Sequence, residues 1–270
     1  MYLQLPKKED PLTKLNTYIL TIDGSYRTKE LIRILELDDF NPKSVLGIDG
    51  RNKSKHFFKN TRHDYLSWLT LGRSLTNEEI ACALGHRMIY ELIHGNDSDW
   101  ALVCEDDAVP LGNLSLFTIQ KIVNEIDSGA NYKDVNQPRI IHLGSNLLGE
   151  QDTVIYSSQL ETNKISNAPL CAHAYLINKC AVEVIRSHPK SSEFVNPCDW
   201  PIQWKDKIVF YRVVNALFDR EGDDKSYIAP QRIKSESGFN ISRRIKHRVR
   251  SFLTKIGITA VILRWFGFSG

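Results

Sequence analysis

A chain of 270 residues with 42% hydrophobic and 25% charged content has globular composition, which excludes a disordered or low-complexity protein and fits one α/β domain with appendages. Residues 240–270 hold seven Lys and Arg and no acid, so of 35 basic and 32 acidic groups the first 239 residues carry 28 and 32, about −4. A mildly acidic body argues against a general nucleic-acid surface. Five scattered cysteines (82, 104, 171, 180 and 198) with no Cys-x-x-Cys pair suggest neither a disulfide framework nor a zinc site, and fit a reducing, cytoplasmic compartment. MYLQLPKKEDP at the start has no apolar run behind its charges, unlike a signal peptide. Nowhere are there the roughly 18 uninterrupted apolar residues of a spanning helix.

In chain order, Thr17–Ile22 is rich in β-formers and ends at Asp23-Gly24-Ser25, a strand followed by a turn. Thr28–Leu37 carries apolar residues at 31, 32, 34 and 35 and reads as a helix. Ser44–Ile48, running into Asp49-Gly50-Arg51, is a second strand. Strand, helix and strand in so short a span make a βαβ unit, with a parallel sheet and ligands at the strands' carboxyl ends. Asp23, Arg27, Asp49 and Arg51 fall at those ends and form one candidate rim. Each alone is more often a turn residue. Residues 52–73 show no period and are left as loop. Thr76-Asn-Glu-Glu79 has the form of a capping box. The helix it opens, to about Ile93, has apolar residues nearly all round, which predicts a buried helix. His86 within it reads first as a core histidine satisfied by a backbone carbonyl.

Trp100-Ala-Leu-Val-Cys104 then stops at Glu105-Asp106-Asp107, a covered strand emptying into three carboxylates. In an extended chain Glu105 and Asp107 share a face and Asp106 points the other way. Adjacent like charges need a positive partner, and Mn²⁺ or Mg²⁺ carrying a diphosphate supplies one. The plain alternative is a solvated acidic turn closed by Pro110. Leu116–Ile126 reads as a helix; Arg139–Leu143, Thr153–Tyr156 and Leu170–Ile177 read as strands. The last puts His173 and Tyr175 on one face, with His173 facing a polar neighbour, before Asn178 caps a helix to His188. Asp199, between Pro197 and Pro201, sits in a rigid turn, as a turn former or a positioned acid or base. Tyr227–Gln231 reads as a final strand.

From about Tyr18 to Gln231 the chain resembles glycosyltransferase family 25, the bacterial lipooligosaccharide glycosyltransferases. The resemblance rests on Tyr-Ile-Leu-Thr-Ile-Asp with Arg27, Gly-Ile-Asp-Gly at 47–50, Cys82-Ala-Leu-Gly-His86, Glu-Asp-Asp at 105–107, Ala-His-Ala-Tyr-Leu-Ile at 172–177 and Pro-Cys-Asp at 197–199. Departures are the end of the first strand and Gly85, where the family usually has serine. The resemblance implies a GT-A-like single α/β domain over 17–239, with a Rossmann-like nucleotide-binding half, after an extension at 1–16. It implies inverting transfer of a sugar, most often galactose from UDP-galactose, to a lipooligosaccharide or other surface glycan. Glu105 and Asp107 would hold a divalent metal (Mn²⁺ or Mg²⁺). Asp23, Arg27, Asp49, Arg51, Asp106 and His86 would line the donor site. Asp199 is the candidate base, or else a third metal ligand. A metal-dependent phosphohydrolase acting on nucleotides, or a non-enzymatic membrane adaptor, are the other classes.

The tail over 240–270 has Ile241, Ile245, Val249, Phe252, Leu253 and Ile256 at helical spacing, with Arg243, Arg244, Lys246 and Arg250 largely between them. This is a basic amphipathic helix suited to an anionic membrane surface, where a lipid-linked acceptor would be presented. An ordinary terminal helix packed on the body is the plainer alternative. The expected place is the inner face of the cytoplasmic membrane, peripherally bound.

Overall fold

The computed structural model describes residues 15–22, 25–54, 57–58, 67, 73–129, 136–144, 151–155, 162–165, 172–187, 207–213 and 215–221. Asp23, Asp199, the strand expected at 227–231 and the tail at 240–270 lie outside them. The elements are β1 (Asn16–Thr21), α1 (Tyr26–Leu37), β2 (Pro42–Leu46), a 3₁₀ turn (Gly50–Asn52), α2 (Asn77–His94), β3 (Trp100–Glu105), β4 (Ala108–Pro110) and α3 (Leu116–Gly129). After these come β5 (Arg139–His142), β6 (Gln151–Ile155), β7 (Thr162–Ile165), β8 (Ala174–Asn178), α4 (Lys179–Ser187), β9 (Val209–Val213) and β10 (Phe218–Arg220).

Eight strands form one sheet in the order β2-β1-β3-β8-β5-β9-β7-β6. The opening βαβ unit is parallel as its sequence predicts, with β1 between β2 and β3. Beyond β3 the sheet turns mixed. β8 runs antiparallel to both β3 and β5, β9 parallel to β5, and β7 antiparallel to β9. A Rossmann-like half leading to an acidic strand end, followed by an antiparallel partner strand, is a GT-A-like α/β architecture.

Why β3 reads as an unbroken apolar run is clear from its neighbours. It pairs on both edges and is covered on both faces. Leu102 and Cys104 join one core with Leu31 and Leu35 of α1 and Ile122 and Ile126 of α3. Ala101 and Val103 join the opposite core with Ile89 and Ile93 of α2 and Val182 and Ile185 of α4. A strand covered on both faces has no reason to alternate.

The capping box at α2 is formed on both sides. Glu79 N–H donates to Thr76 Oγ1 at 3.2 Å and Thr76 N–H to Glu79 Oε2 at 2.9 Å. Asn178 caps α4, its Oδ1 accepting from Ala181 N–H at 2.9 Å. The expectation that α2 is buried all round is corrected. Met88 and Leu92 are 43% and 45% exposed, while Ile80, Gly85, His86, Ile89, Tyr90 and Ile93 face inward. Ala81, Ala83 and Leu84 pack with Phe58 and Leu75, and Met88 and Leu92 are left on the outer face.

Two short strands that sequence periodicity does not single out set the site. β4 and β10 pair antiparallel, and the N–H groups of Leu217 and Phe218 both donate to Leu143 O at the end of β5. Glu221 N–H donates to Asp107 O at 3.0 Å. The acidic turn is thereby tied to a segment more than a hundred residues later.

Candidate active site

The strand β3 ends at Glu105, and the backbone turns through Asp106 and Asp107 before resuming as β4. Strict extended alternation therefore stops there, and the three carboxylates have different surroundings. Glu105 Oε1 lies 3.1 Å from His86 Nε2, and Cys82 Sγ is 3.7 Å from the same oxygen. Asp106 Oδ1 accepts from Arg27 Nη2 at 3.0 Å, and Arg27 Nη1 reaches Glu221 Oε2 at 3.5 Å. Arg27 is buried, a guanidinium inserted among acids. The Oδ1 of Asp107 is buried with no hydrogen-bond partner among the described residues.

Proton affinities follow from these surroundings. Burial pushes Asp107 up to about 7, helped by the charges of Glu105 and Asp106 and opposed by Arg27 and Arg220. Asp106 is also raised, chiefly by burial, against the pull of Ser25 and Arg27. Burial pushes Glu105 upward too, but hydrogen bonding and charge from His86, with His173 and Cys82, leave it below the usual carboxylate range. Adjacent carboxyls held at different affinities are a common mark of functional sites.

Four acids, Glu105, Asp106, Asp107 and Glu221, gather around two guanidinium groups, Arg27 and Arg220, with His86 and His173 adding positive charge near Glu105. The orphaned Asp107 oxygen and the all-oxygen donor set fit a hard cation such as Mn²⁺ or Mg²⁺. Cys82, His86 and Glu105 also place one donor atom each within 4.8 Å of one another. Cys82 and His86 each already hydrogen-bond to Glu105 Oε1, so the three require no ion.

The other expected residues divide. Arg27 and Asp106 are brought together. Asp49 and Arg51 pair with each other, Arg51 Nη2 lying 2.7 Å from Asp49 Oδ2, beyond β2 and two strands over from β3. His86 is corrected as to partner: its nitrogens meet Glu105 and the Tyr175 hydroxyl, the latter at 2.8 Å, instead of a backbone carbonyl. His173, one residue before β8, is buried and has the polar neighbour expected of it, standing edge-on to His142 at 5.3 Å; burial pushes its pKa down. Sequence reasoning missed Glu221, Arg220, Tyr90 and Cys82. Cys82 and Tyr90 had a signal, their four-residue spacing from His86 on one helix face.

A Rossmann-like half ending in an acidic turn defines a GT-A-like α/β protein in class. The profile of glycosyltransferase family 25 (LPS biosynthesis protein) matches residues 15–196, 182 of 270 residues. The chain belongs to that family and is a glycosyltransferase. Solved structures with a loose overall likeness include a putative glucose-1-phosphate thymidylyltransferase from Bacillus anthracis in complex with a sucrose, at 10% identity and TM-score 0.39, covering 86% of this chain and 99% of that one. A glycosyltransferase involved in glycosylation of the major capsid of PBCV-1 shares 12% identity at TM-score 0.32, over 82% of this chain and 99% of that one. CMP:2-keto-3-deoxy-manno-octonic acid synthetase complexed with CTP shares 8% at TM-score 0.35, over 90% and 99%. No curated protein matches the chain in sequence.

Proposed function

We propose that this glycosyltransferase is inverting and metal-dependent, and that it moves galactose from UDP-galactose onto a lipooligosaccharide or other surface-glycan acceptor. The observation that carries the metal is the cluster of carboxylates around Asp107, whose buried Oδ1 has no partner among the described residues. Asp107, with Glu105 or Asp106, would hold the cation. The cation supplies charge neutralisation for the leaving diphosphate. Galactose, UDP and the glycan acceptor are proposed from the family resemblance.

Asp199 is proposed as the base. It takes the proton of the acceptor hydroxyl as that oxygen bonds to the anomeric carbon, on the face opposite the breaking bond to phosphate, so configuration inverts. Asp199 lies outside the described residues and three positions beyond the matched segment, and rests on the Pro-Cys-Asp likeness. Asp23, Asp49 and Arg51 are proposed at the donor rim, with Arg27 acting on Asp106. Residues 17–239 would form the catalytic domain after an extension at 1–16. The basic tail at 240–270 would hold it peripherally at the inner face of the cytoplasmic membrane. No helix among the described residues is long and apolar enough to cross a membrane.

The test is a screen of UDP-sugars for Mn²⁺- or Mg²⁺-dependent transfer or hydrolysis, with Asp107→Asn beside the wild type. Metal-dependent turnover of UDP-galactose, lost in Asp107→Asn, is expected. Full activity of that variant in chelator would refute the metal role, and turnover of another sugar alone would refute the donor.

A further inference from the structure

Of the three carboxylates, Glu105 is the one turned under α2, and the groups beneath it form a chain. Its Oε1 lies 3.1 Å from His86 Nε2, His86 Nδ1 lies 2.8 Å from the Tyr175 hydroxyl, and that hydroxyl lies 3.1 Å from the hydroxyl of Tyr90. His86 and Tyr90 are four apart on one face of α2, and Tyr175 rises from β8 to meet them. All three are at most 4% exposed. The imidazole also stacks on the Tyr175 ring, centroids 5.8 Å apart.

Donor and acceptor chemistry fixes the first link. An ionised carboxylate only accepts, so His86 Nε2 must carry the hydrogen. Nδ1 meets the Tyr175 hydroxyl at the same time, so both ring nitrogens are engaged and the ring is held in one orientation. The Tyr175 hydroxyl meets that of Tyr90 in turn.

We propose that His86 is a positioning residue, held in one orientation by Tyr175 and Tyr90, and that it in turn holds the Glu105 carboxylate in place beside the Asp106-Asp107 turn. The inference rests on the reading that this turn binds a divalent cation. Without the chain, Glu105 is a carboxylate at a strand end with two like charges next to it and without the imidazole that fixes its Oε1. With it, the geometry of the cation site is set before any ligand arrives. Partners of this kind behind a metal-binding group typically change metal affinity by about 10- to 100-fold when removed.

The experiment measures Mn²⁺ binding to the full chain by the EPR signal of free Mn²⁺, with no nucleotide present, for wild type, Tyr175→Phe, Tyr90→Phe, His86→Ala and Asp107→Asn. Tyr175→Phe keeps the buried ring and removes one oxygen. It should weaken Mn²⁺ binding by about 10-fold at an unchanged melting temperature in chelator, with a smaller loss in Tyr90→Phe and no additional loss when Tyr175→Phe is combined with His86→Ala. In wild type, ¹⁵N chemical shifts of the His86 ring should report hydrogen on Nε2, and Tyr175→Phe should disturb the Nδ1 signal. Wild-type affinity in both Tyr175→Phe and His86→Ala, with Asp107→Asn unable to bind, overturns the positioning role and leaves the cation site standing. A wild type that binds no Mn²⁺ overturns both. Weakened binding that only follows a fall in melting temperature overturns the inference in favour of a purely structural role.

Discussion

Replacing Asp107 with Asn should stabilise the metal-free protein, and the size of the effect can be worked from the site. The carboxyl is held at about 7 against an ordinary 3.8, a difference of about three pH units at about 1.4 kcal/mol each, so the ceiling is about 4 kcal/mol. The side chain keeps some contact with solvent and its affinity is shared with neighbouring acids, so about half that, roughly 2 kcal/mol, is expected. Between about pH 4 and 7 the folded chain keeps a proton on Asp107 that the unfolded chain has released, so metal-free stability falls as pH rises through this window. Asn has no such charge to lose. Urea or thermal unfolding in chelator should show Asp107→Asn more stable than wild type at pH 8, by roughly 4–8 °C in Tm, with the gain vanishing near pH 4. Added Mn²⁺ should stabilise only the wild type. Equal stability at pH 8, or a gain that persists undiminished at pH 4, would refute the electrostatic reasoning.

Other consequences can be checked alongside. Gly85→Ser brings in a Cβ that would sit 2.5 Å from Leu20 Cδ1 and 2.9 Å from Cδ2, so the serine usual in the family should destabilise this chain by about 1–3 kcal/mol in urea unfolding, with recovery when Leu20→Val is added. Glu79→Ala removes a fully buried carboxylate paired with Arg73 at 2.6 Å and the reciprocal cap of α2, at a cost of about 3–5 kcal/mol, whereas Thr76→Ala should cost only about 1 kcal/mol. Asp199→Asn should lower kcat by about 10²- to 10⁴-fold with donor affinity nearly unchanged; collapse of donor and metal binding instead would make Asp199 a ligand. Deleting residues 241–270 should release the protein from anionic liposomes while sparing transfer to a soluble acceptor, an outcome that equal binding of both forms would contradict.

Local chemistry in the sequence was enough for much of the framework. Thr76 and Glu79 cap α2 and Asn178 caps α4 because a cap needs only residues within one turn of each other. The opening βαβ unit was legible because helix and strand periods are short-range properties of consecutive side chains. Glu105-Asp106-Asp107 declared itself as three charges ending an apolar strand. What the sequence could not determine was where those charges go. Arg27 meets Asp106 across 79 positions and Glu221 across 194, and Tyr175 reaches His86 across 89. Such meetings depend on which strands become neighbours, and that is decided by the summed burial and hydrogen bonding of the whole sheet, not by any local pattern. Alternation likewise predicted a face for Asp107 on the premise of an extended chain, a premise that the turn at Asp106 removes. The motif was therefore written locally, while its electrostatic balance, with a buried guanidinium, an anchored glutamate and two aspartate oxygens unpartnered among the described residues, came into being only when β3, β8, β10, α1 and α2 closed around it.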